Sequence, residues 1–242
     1  MSELLIMDGA MGTIVGVNAS PEAVMAVHRQ YVEAGALLLK TNTFICDDYE
    51  RNRAWARLAR AAGPRLVAGA LGPSIKAIYE AAHGLVDGGA DMLLAETITS
   101  IEIVRAQLTA FEKLFMATGR ELPIMFSVTI SRTGELLSGE TLEAFWNSVK
   151  ERKPYSVGIN CSFGARHVGP YIERLAGLST VPVSCHPSAG LPNDSGGYDE
   201  SPAEFAEILA GLVSRGVIQI AGGCCGTTPA HIRMLQSMTY EG

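Results

Sequence analysis

The chain lacks several features that would mark other classes of protein. None of its apolar runs approaches the roughly 20 residues needed to span a bilayer, so no membrane segment is expected. It has no basic excess: 25 acidic residues against 19 basic ones leave a net charge of −6. That excludes a nucleic-acid or anionic-membrane surface, which needs a basic patch. The first residues, Met1 to Asp8, carry no basic n-region and meet acids early, which argues against a signal peptide. The five cysteines are odd in number and unevenly spaced, so they form no disulfide framework and fit reduced thiols in a cytoplasm. No linker, low-complexity tract or long internal repeat is visible, and one domain spanning residues 1–242 is expected. With 48% hydrophobic residues, that length can bury a large core.

What is present is a strict alternation. Short, mostly apolar runs end at Met7, Leu39, Ala68, Leu94, Val128, Ile159, Val183 and Ile220, which suits parallel strands covered on both faces. Between them lie segments of helical period. Ser20-Pro21 opens one, with Val24, Val27, Tyr31 and Val32 on one face, and Ser100 opens another, with Ile103, Val104 and Leu108. Ser201-Pro202-Ala203-Glu204 is a capping box with proline at its first helical position, and Thr228-Pro229 opens the last helix. A further helix is expected over 75–88, and glycines 35, 63, 89, 177 and 216 are placed as left-handed helix ends.

Eight strand units alternating with eight helical ones are the arithmetic of a (β/α)8 TIM barrel, here an α/β single domain with short loops. An open doubly wound sheet uses the same units. Against it, no strand is followed by Gly-x-Gly-x-x-Gly, and polar residues gather after nearly every strand. A barrel brings all those ends to one rim, whereas an open sheet builds its site at a single switch point.

The strand ends deliver Asp8-Gly9-Ala10-Met11-Gly12-Thr13, Thr41-Asn42-Thr43-Phe44, Glu96-Thr97, Asn160-Cys161-Ser162, Cys185-His186-Pro187-Ser188 and Gly222-Gly223-Cys224-Cys225-Gly226. Two acids, several thiols and an imidazole are thus expected at one mouth. Cys161, Cys224 and Cys225 supply three soft ligands, and a catalytic zinc site keeps its fourth position open. Neighbouring residues of a regular strand point to opposite faces, so Cys224 and Cys225 converge only if the flanking glycines let the backbone turn. Buried free cysteines or a vicinal disulfide are the alternatives. Cys46 and Cys185 are expected to be non-ligands, with Cys185 the substitute if the third ligand is misassigned.

Three thiolates on a divalent ion leave it a weak Lewis acid, suited to holding a substrate thiol as thiolate for alkylation instead of activating water. Asp8 and Glu96 are placed to face a cationic amine, and the turn Gly9-Ala10-Met11-Gly12 offers several backbone N–H groups to a carboxylate. An amino acid bearing a thiol fits that pattern.

The chain resembles the homocysteine S-methyltransferase family, most of all the homocysteine-binding barrel of cobalamin-dependent methionine synthase. The resemblance is carried in order by Asp-Gly-Ala-Met-Gly-Thr (8–13), Thr-Asn-Thr-Phe (41–44), Glu-Thr (96–97), Gly-Ile-Asn-Cys-Ser (158–162), Pro-Ser-Ala-Gly (187–190) and Gly-Gly-Cys-Cys-Gly-Thr-Thr-Pro (222–229). It implies that Cys161, Cys224 and Cys225 hold zinc, and that Asp8, Gly9, Ala10, Glu96, Asn160 and Ser188 form the amino-acid pocket. The family pattern has asparagine where Ser188 stands and an acid near Ala70, and the loop after Gly72-Pro73 is shortened.

The function expected is zinc-dependent methyl transfer to the thiol of homocysteine, giving methionine. Folate- and cobalamin-binding regions do not follow the barrel in this sequence, so the expected donor is methyl-cobalamin on a separate corrinoid protein. S-methylmethionine or betaine is the same-class alternative. Betaine calls for an aromatic cage, and tyrosine and tryptophan are scarce at these strand ends. A non-catalytic zinc-binding partner subunit is the alternative of a different class.

Overall fold

A computed structural model describes residues 4–16 and 19–240. Eight parallel strands form one sheet in the order β1-β8-β7-β6-β5-β4-β3-β2. The strands are β1 (Leu5–Ile6), β2 (Leu38–Lys40), β3 (Leu66–Leu71), β4 (Met92–Ile98), β5 (Ile124–Val128), β6 (Ser156–Gly164), β7 (Val183–Ser188) and β8 (Ile220–Ala221). A parallel bridge between Met7 and Leu38 brings β1 back to β2. This is a nearly closed (β/α)8 barrel, and the open-sheet alternative falls away.

The helices around it are α1 (Gly12–Val15), α2 (Pro21–Glu33), α3 (Tyr49–Ala61), α4 (Ile78–Asp87), α5 (Ile101–Thr118), α6 (Leu142–Val149), α7 (Ala165–Leu178), α8 (Pro202–Ser214) and α9 (Pro229–Tyr240). The expected caps are present. Ser20 and Ser100 accept from Ala23 N and Ile103 N, and Ser201 and Glu204 close a reciprocal capping box. Two expectations are corrected. Helix α4 starts at Ile78, because Ala77 at φ 48° breaks the run before it. Gly177 lies inside α7, while glycines 35, 63, 89 and 216 do take positive φ.

The core has two layers. Leu5, Met7, Leu38, Ala68, Met92, Leu94, Met125 and Ile220 pack together without helical partners and fill the lower barrel interior. A larger layer joins the outer strand faces to the helices, and Cys185 belongs to it. Strand side chains alternate, so the residues two positions beyond Leu38, Leu94 and Met125 also point inward. Those residues are Lys40, Glu96 and Ser127. The barrel interior therefore changes from apolar to polar towards the C-terminal ends of its strands, beneath the mouth.

Candidate active site

Two breaks in strand regularity build the site. In β6, Cys161 and Ser162 both take left-handed backbone, φ 51° and 57°, where the register against β7 shifts. In β4, Thr97 does the same at φ 58°, beside a register shift between Ala95 and Ile98. Such conformations cost non-glycine residues of order 1–3 kcal/mol and persist where their surroundings hold them. Asn160 is that hold. Its Oδ1 accepts from Thr97 N at 2.9 Å and Ser127 Oγ at 2.7 Å, and its Nδ2 donates to Thr97 Oγ1 at 2.8 Å. One buried carboxamide thus ties β4, β5 and β6 together between Glu96 and Cys161.

The paired cysteines lie beyond β8 in a turn closed by Thr227 N donating to Cys224 O at 3.1 Å. Cys224 N donates to Pro187 O at 2.8 Å, and Cys225 O accepts from Ala189 N at 2.9 Å, so β7 anchors both residues. A Cβ at Gly223 would collide with the Thr227 side chain, and Gly226 takes φ 79° under the Tyr198 ring. Strand alternation therefore no longer applies, and adjacent thiols share one side.

The sulfurs of Cys161, Cys224 and Cys225 all lie within 4.8 Å of one another. Cys161 and Cys224 are joined as a disulfide with Cα atoms 5.4 Å apart, and Cys225 Sγ stands 3.9 Å from Cys161 Sγ. Tetrahedral zinc with bonds of about 2.3 Å spaces its sulfurs by roughly 3.8 Å. The donor set and its spacing fit zinc once the disulfide is reduced, since the thiolate is the ligand. Neither other cysteine joins them: Cys185 is fully buried in the outer core, and Cys46 lies apart on the cavity wall.

These sulfurs line a cavity of about 530 Å³ together with Asp8, Gly9, Ala10, Lys40, Glu96 and Thr97. Glu96 is buried, and burial, opposed by Lys40 and reinforced by Asp8, pushes its carboxyl up to about 7. Asp8, also buried, is raised mainly by desolvation, with Lys40 pulling the other way. Lys40 Nζ stands 3.2 Å from Asp8 Oδ1, and Lys40 N donates to Asp8 Oδ2 at 3.0 Å. The Oδ1 contact is an ion pair without hydrogen-bond geometry.

Sequence reasoning missed Lys40, although its place two residues beyond Leu38 on an inward-facing strand position was the available signal. Four other groups are held as follows. The Ala10 N–H is taken by Thr227 Oγ1 at 3.1 Å, so it is not free to receive a carboxylate. Asn160 and Ser188 are buried but do not line the cavity. His186 is buried in the barrel with both ring nitrogens unpartnered among the described residues, and burial, helped by Lys40, lowers its pKa well below the usual range. It is a neutral interior imidazole and not part of the mouth.

The profile of the homocysteine S-methyltransferase family matches residues 5–239. Among solved structures, the chain is similar to the homocysteine methyltransferase MmuM of Escherichia coli. To its oxidised form it is 23% identical over 97% of this chain and 95% of that one, with a TM-score of 0.76. For the metallated form the figures are 22%, 98%, 96% and 0.74. A dihydropteroate synthase of Coxiella burnetii follows at 16% identity, with 100% and 94% covered and a TM-score of 0.61. At such identities these likenesses concern the fold.

Proposed function

The chain belongs to the homocysteine S-methyltransferase family, and from that premise we propose that it methylates the thiol of homocysteine to give methionine, with zinc held by Cys161, Cys224 and Cys225. The observation that carries this reading is the convergence of three sulfurs, from two distant segments, on the wall of a cavity that also holds buried charges. Bound there, zinc would keep a substrate thiol deprotonated at neutral pH while its thiolate ligands leave that sulfur nucleophilic.

The remaining work belongs to the protein. The left-handed turn at Cys161 and the glycine-flanked turn at Cys224 and Cys225 aim the ligands into the cavity. Glu96, buried on the cavity wall without a hydrogen-bond partner among the described residues, receives the substrate ammonium. Asn160 keeps the Glu96 and Cys161 segments in register, and its Nδ2 lies 3.9 Å from Cys224 Sγ. A reducing compartment such as the cytoplasm suits ligands that must be thiols.

The methyl donor in this reading is methyl-cobalamin on a separate corrinoid protein that reaches the sulfur from above the rim. Exposed apolar side chains support it: Phe44 and Ile45, after β2, line the cavity, and Ile14 in α1 and Ile75 after β3 are exposed as well.

The test replaces each cysteine in turn. Cys161→Ala, Cys224→Ala and Cys225→Ala should each lose stoichiometric zinc and methionine formation while the circular dichroism of the barrel stays, because the ligands sit on the rim. Cys46→Ala should change neither. Full zinc and turnover in any of the three ligand variants would refute the ligand set. Assay against methylcobalamin, a methylated corrinoid protein, S-methylmethionine and betaine decides the donor separately.

A further inference from the structure

We propose that Lys40 receives the carboxylate of the amino-acid substrate and so determines selection for an α-amino acid over a simple aminothiol; this rests on the homocysteine reading above. A zwitterion entering the cavity brings its carboxylate close to two buried acids, Asp8 and Glu96. Without a cation that approach is repulsive, and in a desolvated site the repulsion is poorly screened. The glycine-rich turn carries no charge to offset it, and its Ala10 N–H is already taken by Thr227 Oγ1.

Lys40 resolves it by position. Its side chain is 11% exposed and lines the cavity. Its Nζ donates to Gly223 O at 2.9 Å and weakly to Asp8 O at 3.4 Å, which fixes the head group. An ammonium has three donors, so one N–H is left for a ligand. Gly223 immediately precedes the paired cysteines, and the Lys40 charge acts on both Asp8 and Glu96. The ammonium is therefore fixed beside the turn that carries the paired cysteines, in the same cavity lining as Glu96, within reach of the carboxylate of a bound aminothiol acid. Asp8, paired to Lys40 through both carboxylate oxygens, holds that lysine in place, and Glu96 is the acid left for the substrate amine. Arg51 is a second cation of the cavity lining, but it is exposed at the outer edge.

The experiment compares two ligands on the reduced, zinc-loaded protein by titration calorimetry: homocysteine and 3-mercaptopropylamine, which keeps the thiol and amine and lacks the carboxylate. The parent should favour homocysteine by about 10- to 150-fold, as expected for one charge-assisted hydrogen bond. Lys40→Met should bring the ratio close to one. So should the double variant Asp8→Asn, Lys40→Met, which removes the Asp8 charge that Lys40 pairs and serves if the single variant folds poorly. Arg51→Gln should keep the parent ratio. A parent ratio retained in the folded double variant, or lost in Arg51→Gln, overturns the assignment to Lys40. A parent that binds both thiols equally overturns carboxylate selection and leaves the thiol chemistry intact, whereas a parent that binds neither overturns the homocysteine reading as well.

Discussion

Glu96 shows how a single residue is set by its surroundings. Its carboxyl is held up to about 7 by burial, against an ordinary value near 4.5, so the folded state binds a proton that the unfolded state has released. The stability this contributes is complete below about pH 4.5 and is lost as pH rises through 7. Glu96→Gln cannot ionise and escapes that loss. Its melting temperature should gain on the parent by a few degrees between pH 5 and pH 8. The same substitution removes the charge that receives an ammonium. Affinity for 2-aminobutyrate, the substrate without its sulfur, should rise through pH 7 in the parent and stay flat in the variant, about 10- to 150-fold weaker at pH 8. Gain of stability with loss of binding identifies a functional carboxylate; loss of both would make Glu96 structural.

At the scale of elements, the site depends on irregular strands. A regular β6 would send Cys161 outward from the positions that Gly158 and Asn160 occupy, and a regular strand through Cys224 and Cys225 would divide the two thiols between its faces. The bulges at Thr97 and at Cys161–Ser162 are linked through Asn160. Asn160→Ala leaves the buried Ser127 hydroxyl and the Thr97 N–H without their partner. That should cost about 1–3 kcal/mol in chemical denaturation. No ligand is removed, yet zinc affinity should fall about 10- to 100-fold, as is usual when the support of a metal ligand is lost. Metal titration with a chromogenic chelator reads this directly. Unchanged zinc affinity would show that the cysteine turns hold their geometry alone.

For the whole molecule, exposed apolar side chains stand in several of the segments that follow the C-terminal ends of the strands. Ile75, in the loop between β3 and α4, is 56% exposed, and Leu137, between β5 and α6, is 59% exposed. Neither lines the cavity. If a corrinoid protein docks across this rim, Ile75→Lys and Leu137→Lys should each raise KM for the methylated carrier severalfold while zinc content and homocysteine affinity remain those of the parent. Equal KM values in parent and variants would place the docking elsewhere or favour a small-molecule donor. No helix among the described residues is long and apolar enough to cross a membrane.

The eight strand units, their helices and the serine caps were legible in the sequence because each is set by local periodicity and by side chains within a turn of the helix they start. The cysteine cluster was legible too, since glycine on both sides of Cys224 and Cys225 permits the one backbone course that brings adjacent thiols together. Tertiary structure decided what depends on distant partners. That Ala10 spends its N–H on Thr227, 217 positions away, follows from the meeting of β1 with the segment after β8. That Asp8 pairs with Lys40 requires barrel closure between β1 and β2. Charge in a protein interior is decided by what lies within a few ångströms, and separation along the chain carries no record of that until the sheet has closed on itself.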